Sequence, residues 1–239
     1  MFLKRIELQR ERILSFNDYP FSIPAIKNLH QLGFNKPVTF FVGENGSGKS
    51  TLLEAIADKC EFNTAGGGRN NYYDLHACES ALGEYIRLAW MPKVTKGFFL
   101  RAESFYNFAS HIDEVGTYDA YGGRSLHQQS HGESFLSLFT NRFKAKDKAI
   151  YLLDEPEAAL SPQRQLSFLK ILHDLNLSGN SQFIIATHSP ILLGYPNATI
   201  FTFDYGQIQE IDYEMTDHYQ ITKYFLQNRE KFLQEILGE

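Results

Sequence analysis

Apolar and polar positions alternate over residues 2–8 (FLKRIEL), the period of a half-buried strand. Pro37 precedes Val38–Val42, a short apolar run that reads as a strand buried on both faces. The period then changes. Leu52, Leu53, Ile56 and Ala57 recur at helical spacing across Lys49–Lys59, so this stretch reads strand, glycine-rich loop, helix.

Residues 61–84 are polar and rich in glycine around Gly66, Gly67 and Gly68, and read as an irregular surface insertion. Strands are expected over 85–91 and 97–101, and helices over 103–112 and 133–143, with Gly116, Gly122 and Gly123 in the loop between those helices. An apolar strand over 149–153 runs straight into Asp154 and Glu155. Ser161 and Pro162 mark the N-cap and first position of an amphipathic helix reaching 177. A buried strand over 182–187, a helix from Pro190, a hairpin of 199–204 with 207–212, and a helix from about 219 to 237 complete the chain. Strands alternating with helices imply a parallel sheet covered on both faces, an α/β fold, with ligands beyond the carboxyl ends of its strands.

Composition narrows this little. A chain of 239 residues, 43% hydrophobic and 21% charged, can bury a core as one large domain spanning 1–239. The net charge of -5 argues against a protein that coats polyanions, and the basic run at 142–148 (RFKAKDK) reads as a solvated loop. The sequence has no uninterrupted apolar stretch of about 18 residues, so direct membrane insertion is not expected. Charges throughout the first residues argue against a secretory signal. Cys60 and Cys78 lack metal-ligand spacing and are expected as reduced thiols of a cytoplasmic protein.

The chemistry is concentrated in loops that follow predicted strands. Gly43, Glu44, Asn45, Gly46, Ser47, Gly48, Lys49 and Ser50 form a complete G-x4-G-K-S loop, with Thr51 next on the helix. By composition such a match arises on the order of once per hundred chains of this length. Its glycines let successive backbone N–H groups face one anion, and the helix behind adds its positive end. Lys49 is expected to reach the β- and γ-phosphates of ATP, and the Ser50 hydroxyl to ligate Mg2+. Asp154 and Glu155 leave an apolar strand, where ionised carboxylates are costly without a cation or hydrogen bonds. Asp154 suits the magnesium ion, and Glu155 suits polarisation of an attacking water; alone, such a pair is equally a helix cap. His188, in Ala-Thr-His-Ser-Pro, follows the next strand. That strand should neighbour the Asp154 strand, putting an imidazole donor near the γ-phosphate, although Ser189-Pro190 starts a helix well whatever His188 does.

With these motifs the chain resembles the ATP-binding-cassette (ABC) ATPases over nearly its whole length. The resemblance implies a P-loop NTPase with a parallel-core sheet, an N-terminal antiparallel β subdomain, and a small helical subdomain near 102–145. It also implies a signature at Ser130, His131, Gly132 and Glu133. In the family that serine and glycine contact the γ-phosphate bound by the other subunit, so that two ATPs are sandwiched in a head-to-tail homodimer. The usual Ser-Gly-Gly-Gln is altered at His131 and Glu133; Ser130 and Glu133 equally make a helix capping box. Glu103 stands where the family has a glutamine that contacts magnesium or water, and Ser161 where the subunit-contact loop usually has an aspartate. Phe16, Tyr19 and Phe21 are candidates for stacking the base. Asn45 with Leu52-Leu53-Glu54-Ala55-Ile56 looks like recombination-repair and SMC-type heads. The Asp154–Pro162 and Thr187–Pro190 segments look like overcoming-lysogenization-type ATPases. The resemblance therefore implies an ATPase switch acting on an unidentified protein or nucleic-acid partner. A transporter's nucleotide-binding subunit and a non-hydrolysing scaffold are the alternatives.

Overall fold

The computed structural model describes residues 1–64, 66–68, 81–103, 105–116, 123, 125–128, 131–143 and 146–238. Along the chain run β1 (Leu3–Leu8), α1 (Pro24–Lys27), β2 (Gln31–Gly33), β3 (Val38–Val42), α2 (Lys49–Lys59), α3 (Leu82–Tyr85) and β4 (Ile86–Trp90). Next come β5 (Lys96–Arg101), α4 (Phe105–Val115), α5 (His131–Arg142), β6 (Ala149–Asp154) and α6 (Pro162–Leu177). The last are β7 (Ser181–Ala186), α7 (Pro190–Leu193), β8 (Thr199–Thr202), β9 (Gln209–Glu210), α8 (Asp217–Gln227) and α9 (Arg229–Leu237).

The strands form two sheets. Six strands lie in the order β5-β6-β7-β3-β8-β9, parallel except for the last pair, and three lie antiparallel in the order β2-β1-β4. Successive side chains of β3 go to opposite faces, and both faces are apolar. Val38, Phe40 and Val42 join Phe98, Tyr151, Leu153 and Ile185 in one core under α4, α5 and α6. Phe41 joins Leu152, Ile184 and Phe201 in a second core with α2 and the antiparallel sheet.

The first core is rich in phenylalanine. Phe135, Phe139, Phe143 and Tyr151 make a run of ring contacts, ending in a stacked pair at 4.0 Å between Phe143 and Tyr151. These rings pack the helices onto the sheet, and aromatic pairs add to simple burial by about 0.5–1.5 kcal/mol each. Gln182, buried on β7, is the polar link between the sheets. Its Oε1 accepts from the backbone N–H groups of Phe2 and Leu3, and its amide donates to the Leu3 carbonyl.

Several elements differ from the sequence expectation. Within the insertion expected over 61–84, of which 65 and 69–80 lie outside the described residues, Gly66, Gly67 and Gly68 are buried, because Gly67 pairs with Phe99 on the edge strand β5. The terminal helix breaks at Asn228 into α8 and α9 and begins two residues earlier than periodicity suggests, capped by the Thr216 side chain. Ser161 occupies the N-cap of α6, but its side chain makes no capping bond. The strand β2 and the helix α1 carry too few residues to show a period. No helix among the described residues is long and apolar enough to cross a membrane.

Candidate functional site

Parallel pairing brings the critical loops to one edge of the sheet. β3, β7 and β6 are neighbours, with Phe41 and Asp154 both level with Ala186. The turn residues continue that pairing: Thr187 N–H donates to the Phe41 carbonyl, and Glu155 N–H to the Ala186 carbonyl. Residues 43–50, 154–155 and 187–188 therefore leave the sheet side by side, where open parallel sheets bind ligands.

The glycine-rich loop is braced from outside. Asp204, after β8, accepts from the Glu44 N–H at 2.6 Å. Gly43 has φ +145°, and a Cβ there would lie 2.7 Å from Asp204 Oδ1, so both the turn and the brace need glycine. Glu44, Asn45 and Gly46 form the exposed crown, Ser47 is half-buried, and Gly48 leads into α2. Lys49 is buried and donates to the carbonyls of Gly43 at 2.6 Å and Glu44 at 2.9 Å. Burial lowers its pKa, opposed by Glu155, Asp204, Asp154 and Glu44. Thr51 is met by the Tyr19 hydroxyl at 3.4 Å.

Ser50 Oγ donates to Asp154 Oδ1 at 2.9 Å, joining two of the three residues singled out for a metal. Asp154 is only 5% exposed, and burial raises its pKa to about 7 against the pull of Ser50 and Arg101. A hydroxyl and a buried carboxylate short of compensating charge form the all-oxygen donor set that suits Mg2+. Arg101, level with Asp154 on β5, adds the nearby cation. It pairs with Glu54 at 2.6 Å and Glu103 at 3.3 Å, while its Nε lies 3.9 Å from Asp154 Oδ2. Glu103 is thus held at the rim beside Arg101, its side chain 79% exposed.

Glu155 adopts φ +50°, ψ +51°, an uncommon conformation for a non-glycine residue and one met at functional turns. Its Oε1 lies 3.6 Å from His188 Nε2. The His188 loop is itself anchored: its N–H donates to half-buried Glu157 at 2.5 Å, and Ser189 caps α7 by accepting from the Ile191 and Leu192 N–H groups. Ser189 also donates to Gln165, whose amide donates to the Leu160 carbonyl. Burial, then Lys49 and His218, lower the pKa of His188, keeping its imidazole neutral near pH 7.

Of the signature candidates, Ser130 lies outside the described residues. Gly132 is buried at the start of α5, where a Cβ would meet Arg164 at 2.3 Å and the Ala159 carbonyl at 3.2 Å. Glu133, its side chain 60% exposed, lies 3.5 Å from Arg164. Among the three aromatic candidates, Phe21 is buried against Tyr85 and Phe16 packs under Arg10, whereas Tyr19 is 69% exposed beside Thr51.

Sequence reasoning missed Asp204, Arg101 and Glu54, the anchoring part of Glu157, and His218. A strand ending in Asp204 and the capping pattern after Thr216 were the available signals.

A family model described as AAA ATPase domain matches residues 122–193. The xylose import ATP-binding protein XylG of Moorella thermoacetica is 25% identical over 70% of this chain, which spans 38% of that protein's length. The hemin import ATP-binding protein HmuV of Bartonella henselae is 27% identical over 65% of this chain and 72% of its own. Among solved structures, the ADP conformation of MJ1267, an ATP-binding cassette of an ABC transporter, superposes at TM-score 0.54. It is 19% identical over 100% of both chains. The resemblance to ABC-type ATPases therefore holds in sequence, and the architecture is the P-loop fold of ABC ATPases.

Proposed function

We propose that this chain binds ATP with Mg2+ and hydrolyses it, and that ATP closes two copies head to tail into a switch read by a partner. The observation that best supports this is the Ser50–Asp154 hydrogen bond, which joins phosphate loop and acidic strand end in one part-buried cluster. A bound magnesium ion would be held by Ser50 and Asp154 and would neutralise charge on the β- and γ-phosphates. Lys49 exchanges the Gly43 and Glu44 carbonyls for phosphate oxygens. Glu155 orients water and takes its proton, while His188 donates toward the γ-phosphate. Positioning and charge neutralisation supply the catalysis, as is usual for phosphoryl transfer. Tyr19, exposed beside Thr51, is the aromatic residue best situated to stack on adenine. Gly132 and Ser130 would complete the site of the opposite copy, and Glu103, from its rim position, would serve the metal or its water.

Phosphate release by the purified chain tests this. Turnover per subunit should rise with protein concentration, because each site needs the other copy's signature. Constant turnover from dilute to concentrated protein would refute the composite site. The import relatives favour a second reading, the nucleotide-binding subunit of an importer. It predicts stable co-purification with a multi-span membrane protein from the native cell.

A further inference from the structure

The imidazole of His188 does not sit alone. His188 Nδ1 and His218 Nε2 are 2.9 Å apart, with the ring centroids at 5.0 Å. His218 is the second residue of α8, and the segment that leads into α8 is tied to the His188 loop. Thr216 is buried and caps α8 by accepting from the Tyr219 N–H. Tyr213, whose ring packs on Tyr219, donates its hydroxyl to the Pro190 carbonyl, two residues beyond His188.

This arrangement decides which nitrogen of His188 carries the proton. Its Nε2 lies 3.6 Å from the Glu155 carboxylate and is buried without another hydrogen-bond partner among the described residues. A lone pair aimed at a carboxylate is repelled, whereas an N–H is attracted. Nε2 therefore carries the proton. In a neutral imidazole Nδ1 is then a lone pair that must accept, and the group beside it is His218 Nε2. Many histidines use Nδ1 to donate to an acceptor, which leaves Nε2 bare. Here the order is reversed. Burial and the nearby Lys49 charge keep both rings neutral near pH 7, so neither bond is supplied by a doubly protonated ring.

We infer that His218 is a positioning residue for hydrolysis: by donating from Nε2 to His188 Nδ1, it fixes the His188 tautomer with its Nε2 proton facing Glu155 and the γ-phosphate side. The purpose assigned to that proton rests on the ATPase reading above. The tautomer itself does not. The same bond makes the placement of α8 a condition of a correctly protonated His188, joining the C-terminal helices to the nucleotide site.

Long-range 1H–15N correlation of the 15N-labelled, nucleotide-free chain at pH 7.5 reads the tautomer directly, with His188→Asn assigning the signals. His188 should show a protonated Nε2 and a bare Nδ1. His218→Phe, which keeps a ring but has no donor, should mix or reverse the His188 tautomer. His218→Gln, which restores an N–H near the Nε2 position, should recover it. With Mg-ATP, His218→Phe should lower kcat about 10–100-fold with KM changed less than about threefold, and His218→Gln should regain most of the loss. A protonated Nδ1 on wild-type His188 overturns the inference even if a variant misfolds. An unchanged tautomer in folded His218→Phe does so too. If the tautomer behaves as stated while the wild-type chain releases no phosphate, the ATPase reading fails and the His218–His188 relation stands.

Discussion

The phosphate-loop side and the signature side of the site are held in opposite ways. On the first, Asp204 braces Glu44, Ser50 bonds Asp154, Glu155 is pinned to Ala186, and Glu157 holds the His188 backbone, all within one chain. On the second, Glu133 is exposed with Arg164 beside it, and Gly132 packs closely under Arg164 and the Ala159 carbonyl. Polar groups that bond one another across these loops fix geometry before any ligand arrives. The first side is thus assembled within one chain, while the second, on the proposed reading, is completed only against another copy.

Substitutions should separate the two sides. Glu155→Gln should cut turnover by about 10²–10⁴-fold while ATP still binds, because only the proton acceptor is lost. Stopped-flow phosphate release checks this, and full turnover would put the base elsewhere. Lys49→Ala should weaken ATP binding itself by roughly 100-fold, since it removes charge-assisted bonds to two phosphates. Calorimetric titration reads that loss. Gly132→Asp crowds Arg164 and adds an anion to the signature. It should leave monomer ATP binding within about twofold yet lower turnover at least tenfold. Weakened ATP binding in that variant would dissolve the distinction between the sides.

Smaller effects should come from the buried carboxylate and the brace. Asp154 holds its proton up to about pH 7, whereas magnesium needs the carboxylate. Mg-ATP affinity should therefore fall about tenfold from pH 8 to pH 6, with proton release on binding measurable by calorimetry in buffers of different ionisation enthalpy. The same raised pKa gives nucleotide-free protein a stability contribution that is full below the ordinary carboxylate range and lost as pH rises through about 7. Asp154→Asn should thus resist heat better than wild type at pH 8 while losing the metal response. Asp204→Ala removes one acceptor and should cost about 1 kcal/mol, seen as a few-fold rise in KM.

The parts legible in the sequence are those whose signal is local. The phosphate loop, the acidic strand end and His188 each sit within a few residues of a strand whose period or apolar run announces it. The pairing of the Asp154 and His188 strands was expected as well and is seen between β6 and β7, whereas the place of β3 on the other side of β7 was not read from the sequence. Asp204 was not legible as a brace, because its partner Glu44 lies 160 residues away and only the β3–β8 pairing brings them together. His218 was hidden for a nearer reason. Apolar spacing alone starts the last helix at about 219, one residue past it, although Thr216 and Asp217 carry the capping pattern of an earlier start. Arg101 and Glu54 form a buried ion pair between β5 and α2, and pattern alone does not choose between burial and solvent for such residues.

Light-scattering mass of Glu155→Gln protein with and without Mg-ATP bears most directly on a site divided between two copies. A shift from monomer to dimer on ATP, abolished by adding Gly132→Asp, is the result expected here. A mass that stays monomeric with ATP demonstrably bound would contradict it.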